Sequence, residues 1–253
     1  MVQVPQRTAV SGPTLIRLLA RLTQTDVPES RLSLSDRLSE WLGWTDAIGL
    51  STALNGQPPA VAAGARAFGS AEENECVRVR SSLAQAITGD GVSGAAKRRG
   101  QVRARPEAAV TDAPPDYAVF RHRYLTLQQS METSIGNLRG RLRGMLAIRT
   151  PEMTRLAVVD AVMERALSPR ERTLLATIPA LLGGHFERLR DAAQKRLAEV
   201  EAAADAEASG NPTSVAPGAW LDTFRKDMQS VLLAELEIRF QPVEGLLAAL
   251  RTC

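Results

Sequence analysis

Along this chain apolar residues recur at steps of three and four, the period of a helix face rather than of a strand. Leu15, Ile16, Leu18, Leu19 and Leu22 follow Pro13 and predict a short helix over 13–24. Leu34, Leu38, Trp41, Trp44 and Ile48 predict a second over 34–54. Its start carries Ser33 three residues before Asp36, the pattern of a capping box. Ser70 and Glu73 predict the same device at the start of a third helix that ends near Gly89. From Asp116 the helices lengthen. Tyr117, Phe120, Tyr124, Leu127, Met131, Ile135, Leu138, Leu142 and Met145 form a heptad seam with one four-residue stutter. Thr150-Pro151 opens the next helix, expected to end near Leu167. Ser168-Pro169-Arg170-Glu171 then reads as the capped start of a segment over 169–208, kinked at Pro179. A last segment, 219–250, carries Trp220, Phe224, Met228, Val231, Leu232 and Leu236 and is expected to be interrupted at Pro242. No strand pattern competes, so the expected class is all-α, with long antiparallel helices packed in coiled-coil fashion.

Between the third and fourth helices the pattern stops. Residues 89–115 are rich in Gly, Pro and small residues and carry no apolar period, which predicts a flexible linker. It divides the chain into an N-terminal helical unit (1–88) and a long-helix domain (116–253). Lys97, Arg98, Arg99, Arg103 and Arg105 make this linker basic. It reads as a solvated charged tether, or alternatively as an electrostatic clamp for nucleic acid. No aromatic residue is interleaved at 97–110, which disfavours single-strand binding.

Composition sharpens this picture in three ways. Aromatics are 4% of the 253 residues, so the apolar material is mostly Ala, Leu and Val, which suits helix packing. All but three of the 31 basic residues are arginine, and the net charge of +3 permits an anionic partner without requiring one. No apolar run approaches the roughly 20 residues of a membrane span, so no direct membrane insertion is expected. Cys76 and Cys253 have neither metal-ligand nor disulfide-framework spacing, which fits a reducing cytoplasm. His122 and His185 have no second ligand nearby in sequence. Phosphate-binding loops and nucleophile elbows are missing. The residues therefore predict neither an enzyme, nor a cofactor or metal, nor a small-molecule substrate.

The stretch GNLRGRLRG, 136–144, stands out. Each glycine in a helix interior costs about 1 kcal/mol relative to alanine. Gly136, Gly140 and Gly144 fall opposite the leucine seam, bordered by Arg139 and Arg143 on one flank and Arg141 on the other. A close helix crossing, within the chain or between copies, is the first reading. An anion site in the notch is the second, which would add Arg141 to the cations of the linker. Incidental glycine on an exposed face is the third. Trp41 and Trp44 read as core anchors of the N-terminal unit, or as anchors of an interface.

Taken together, DRLSEWLGWTDAIGLSTAL (36–54), NLRGRLRGML (137–146) and RFQPVEGLLAAL (239–250) resemble a bacterial domain-of-unknown-function family. Its genes lie beside genes of a proton-channel stator pair, one partner of the MotA/TolQ/ExbB type and one OmpA-like. The neighbourhood is similar to type III Zorya anti-phage defence operons. The resemblance implies a cytoplasmic, non-enzymatic accessory protein that works by binding itself or a motor-complex component. A nucleic-acid-binding effector is the alternative.

Overall fold

The computed structural model describes residues 13–26, 33–56, 69–89, 116–206 and 218–252. Among them the chain is helical, with no strand. The helices are α1 (Thr14–Thr23), α2 (Leu34–Trp41), α3 (Trp44–Asn55), α4 (Ser70–Thr88), α5 (Tyr117–Leu146), α6 (Pro151–Leu175), α7 (Ile178–Ala206) and α8 (Ala219–Arg251). The all-α class is as the periodicity predicts. None of these helices is long and apolar enough to cross a membrane.

α8 is the axis of the core and packs against α1, α4, α5 and α7. Its consecutive residues Ala234, Glu235 and Leu236 are all buried, so at this level it is covered all round. Against it lies the α5 seam, where Tyr124, Met131, Ile135, Leu138 and Leu142 are buried as their spacing predicts. Leu15 and Leu22 of α1 and Cys76, Leu83 and Ile87 of α4 join the same core. The segment 89–115 therefore does not separate two cores; helices on both of its sides share one. Residues 90–115, with Lys97, Arg98, Arg99, Arg103 and Arg105, lie outside the described residues. Burial and the adjacent Glu75 carboxylate push the Cys76 thiol above its usual pKa, so Cys76 acts as a small core residue.

Several boundaries differ from the sequence expectation, each for a local reason. The expected helix 34–54 is two helices, because Leu42 and Gly43 turn to extended backbone. The Ser33–Asp36 capping box forms, with the Ser33 hydroxyl accepting from the Asp36 N–H at 3.1 Å. The Ser33 hydroxyl and backbone N–H hold the Asp36 carboxyl below its ordinary pKa. At α4 the cap sits one residue earlier than expected. The Gly69 N–H donates to Glu72 at 3.0 Å, and Glu73 instead pairs with Arg251 of α8 at 2.7 Å.

The prolines sort differently from expectation. Pro169 starts no helix: it lies inside α6, which runs on to Leu175. Pro179 does not kink a helix interior either. The chain breaks at 176–177, and Pro179 falls in the first turn of α7, where a missing N–H costs little. The carbonyl four residues back, on Leu175, accepts instead from the Gln128 amide of α5 at 3.2 Å. Pro242 leaves α8 continuous, because Phe240, Val243, Leu246, Leu247 and Leu250 are buried on both sides of it and tertiary packing outweighs the lost bond. Asn-free turn 147–150 returns the chain into α6, where Thr150 caps and Pro151 is the first residue.

Candidate functional site

The arginines of GNLRGRLRG are spent inside the chain. Arg139 on α5 donates to Asp160 on α6 through Nε at 3.1 Å and Nη2 at 2.6 Å. Arg143 donates to Glu164 at 2.5 Å and lies 3.5 Å from Asp160. The four side chains are largely shielded, Arg139 at 14% and Arg143 at 18% exposure, so water screens them only partly. Arg141, on the other flank, pairs with Glu75 of α4. The notch is thus bordered by neutralised guanidinium groups rather than by free cations awaiting phosphate.

The glycines do not make a close crossing within the described residues. A methyl placed on Gly136, Gly140 or Gly144 would meet nothing within 4 Å. Gly183 of α7 is the opposite case: a methyl there would lie 3.0 Å from the Tyr117 ring. That ring is fixed by its hydroxyl, which donates to the Pro179 carbonyl, and by contact with Phe186. The two sites should respond with opposite signs. Gly140→Ala is expected to raise stability by about 0.4–1 kcal/mol, from helix propensity and unfolded-state entropy. In Gly183→Ala an overpacking cost of about 1–3 kcal/mol outweighs that gain. Denaturant midpoints of the two variants check this.

Gly136 opens onto a cavity of about 380 Å³ among α1, α2, α5, α6 and α8. Its wall alternates Ile135, Leu175 and Ile238 with charged side chains. Those charges are engaged: Arg172 with Glu132 at 3.3 Å, and Arg239 with Glu171 at 3.2 Å. Arg170 lies over the Trp41 ring at 5.4 Å, a cation–π contact at the rim.

Behind this cavity lies a buried polar network. Glu235 of α8 has no exposed surface, and its carboxylate accepts from the Tyr124 hydroxyl at 2.7 Å, the Gln128 amide at 3.0 and 3.1 Å, and Arg239 Nε at 2.9 Å. Sequence reasoning missed Gln128 and Glu235. The available signal was that both interrupt an apolar stripe, Gln128 between Tyr124 and Met131 and Glu235 after Val231 and Leu232. Burial first, and the Glu235 carboxylate second, push the Tyr124 phenol far above its usual value. A phenol whose pKa is higher folded than unfolded adds stability that is fully present below about pH 10 and is lost as pH rises toward the folded value. The wild type is expected to lose stability above about pH 10. In Tyr124→Phe that loss should be shallower, and Tyr117, whose pKa burial also raises, accounts for part of what remains. Equilibrium unfolding against pH measures the slope.

Of the two histidines, one takes a structural place. His185 lies 2.9 Å from Asp227, a carboxylate 42 residues away that no local spacing could reveal, and Asp227 also faces Arg21 at 3.6 Å. His122 is exposed on α5. Among the described residues no group of three His, Cys, Asp or Glu side chains could hold a metal ion.

The remaining candidate is α3. Its inner face lies on α6, where a methyl on Gly49 would come within 3.4 Å of Arg165 and 3.6 Å of Val162. Its outer face carries Trp44, 82% exposed, with Ile48 at 50%, and Leu54 at 52% borders it. Trp44 is therefore not the core anchor its place in the apolar stripe predicts; the break at Leu42-Gly43 rotates it away from the core. Trp41 is half-buried under Arg170. A large apolar ring left in water beside two aliphatic side chains is the composition of an interface centre.

Residues 1–252 match the family model described as Protein of unknown function (DUF3348), and the chain belongs to that family. No curated protein and no solved structure matches it.

Proposed function

We propose that this DUF3348 chain is a non-enzymatic binding component that docks a protein partner on the outer face of α3. We assign it to the cytoplasmic side of the proton-channel-linked anti-phage system whose gene neighbourhood its sequence resembles. The partner is then a component of the stator complex. The observation that carries this reading is Trp44, almost fully exposed with Ile48 beside it on a helix whose opposite side is packed. Burying such a ring with its neighbours supplies binding free energy of about 25 cal/mol per Å² of apolar surface before the cost of association. The nucleic-acid reading draws no support from Arg139, Arg141 and Arg143, since each already has a carboxylate partner.

The test is co-expression with a stator pair of the MotA/TolQ/ExbB and OmpA-like types, followed by affinity purification through this chain. The stator proteins should co-purify, and Trp44→Ser/Ile48→Ser should lower their recovery at least tenfold with the melting curve unchanged. Recovery of nucleic acid in their place, falling with salt as released counterions require, would replace the proposal with the alternative.

A further inference from the structure

The first turns of α7 are well anchored: Ile178, Leu182 and Phe186 are buried, and Leu189 packs against the core. Beyond Arg190 the helix leaves the body. From Asp191 to Val200 every residue but Ala193 is exposed, yet the helix continues to Ala206. At 1.5 Å per residue this projection extends about 24 Å. An isolated helix of this length is marginal in water and is stabilised chiefly by packing an apolar face.

Such a face exists. Leu189, Ala193, Leu197 and Val200 recur at steps of four, four and three, with Leu197 47% and Val200 39% exposed. Charge along the same stretch is divided. Residues 188–196 carry Arg188, Arg190, Lys195 and Arg196 against a single acid, Asp191. Residues 199–205 carry Glu199, Glu201 and Asp205 and no base. Arg188 is occupied by the Leu22 carbonyl and Arg190 by Glu187, which leaves Lys195 and Arg196 as exposed cations of this stretch, Arg196 flanking the stripe and Lys195 on the far side of the helix.

We propose that the projecting end of α7 is a self-association surface whose occupant is the same helix of a second copy, running antiparallel. In that arrangement a two-fold axis sets Leu197 of each copy against Val200 of the other. The basic stretch 188–196, with Arg196 flanking the seam, then lies alongside the acidic end of the neighbouring helix. Parallel pairing would set like charge against like. The surface is isologous, so it closes on two copies and does not propagate. It lies on a different helix from the α3 face and is independent of the docking proposed there.

Sedimentation equilibrium of the full chain over a range of concentrations reads the association directly. The wild type should rise from one to two chains in mass. Leu197→Asp should raise the dissociation constant at least tenfold, while thermal unfolding stays unchanged because the site is exposed. Orientation is tested by charge. Lys195→Glu/Arg196→Glu and Glu199→Lys/Glu201→Lys should each fail to self-associate, and an equimolar mixture of the two should form mixed dimers. A wild type that stays monomeric throughout, a Leu197→Asp variant that dimerises as well as wild type, or charge variants that do not recombine would each overturn the proposal.

Discussion

Glu235→Ala is expected to lower the free energy of unfolding by about 3–5 kcal/mol, the range for removing one partner of a buried ion pair. Three donors lose their acceptor together: the Tyr124 hydroxyl, the Gln128 amide and Arg239 Nε. Arg239 is the costly one. Its side chain is only 8% exposed, and the carboxylate left to it is Glu171, itself 42% exposed, at 3.2 Å. Glu235→Gln separates charge from shape. It fills the same volume, but one amide end must face donors that want an acceptor, so much of the loss remains. Replacing Glu235 and Arg239 together by leucine should recover most of it, because the desolvation of both ions disappears with them. A double replacement no more stable than Glu235→Ala would mean that the network holds the helices in register rather than merely neutralising a charge. Denaturant midpoints at constant slope decide between these outcomes.

How much of this was readable beforehand depends on whether the deciding partner was local. The α5 seam was, because a heptad reports its own buried side through residues three and four apart. The Thr150-Pro151 start and the Ser33–Asp36 cap were, because a cap closes within one turn. Prolines were not. Pro169 reads as a capped start, Pro179 as a kink and Pro242 as an interruption, yet one helix ends just before Pro179 and two run through the others. The difference is made by Gln128, which supplies the Leu175 carbonyl from 47 residues away, and by the buried residues flanking Pro242. The arginine-glycine stretch misled for the same reason. Its spacing shows a notch between guanidinium groups, but Asp160, Glu164 and Glu75, which neutralise them, sit on other helices. The apolar stripe of 34–54 places Trp44 in the core only if the helix runs unbroken through Gly43, and the break there turns the second half outward.

Phe224→Ala should be the comparably severe substitution at the other end of the core, costing about 3–5 kcal/mol, the range for emptying a buried phenylalanine site. Phe224 has no exposed surface and sits at the meeting point of α5, α7 and α8. Its ring lies edge-on to Phe186 at 5.0 Å and to Phe120 at 5.2 Å, with Tyr117 at 6.2 Å. Such geometries add about 0.5–1.5 kcal/mol per pair beyond area burial. The void would be lined by rings held by their own contacts: Phe186 by Trp220 at 5.1 Å, Tyr117 by its bond to the Pro179 carbonyl. A site so braced collapses poorly, which puts the expected cost in the upper part of the range. Phe224→Leu should recover about half, since it keeps the volume near the backbone and loses the ring contacts. The α3 face is a separate matter, because its residues lie outside this cluster. Below its lowered unfolding midpoint, Phe224→Ala should hold a partner on Trp44 as tightly as the wild type does, while Trp44→Ser should lose the partner at unchanged midpoint. If both properties fell together in Phe224→Ala well below the transition, α3 would be held in place by this aromatic cluster, and the binding face would extend the core instead of being carried on it.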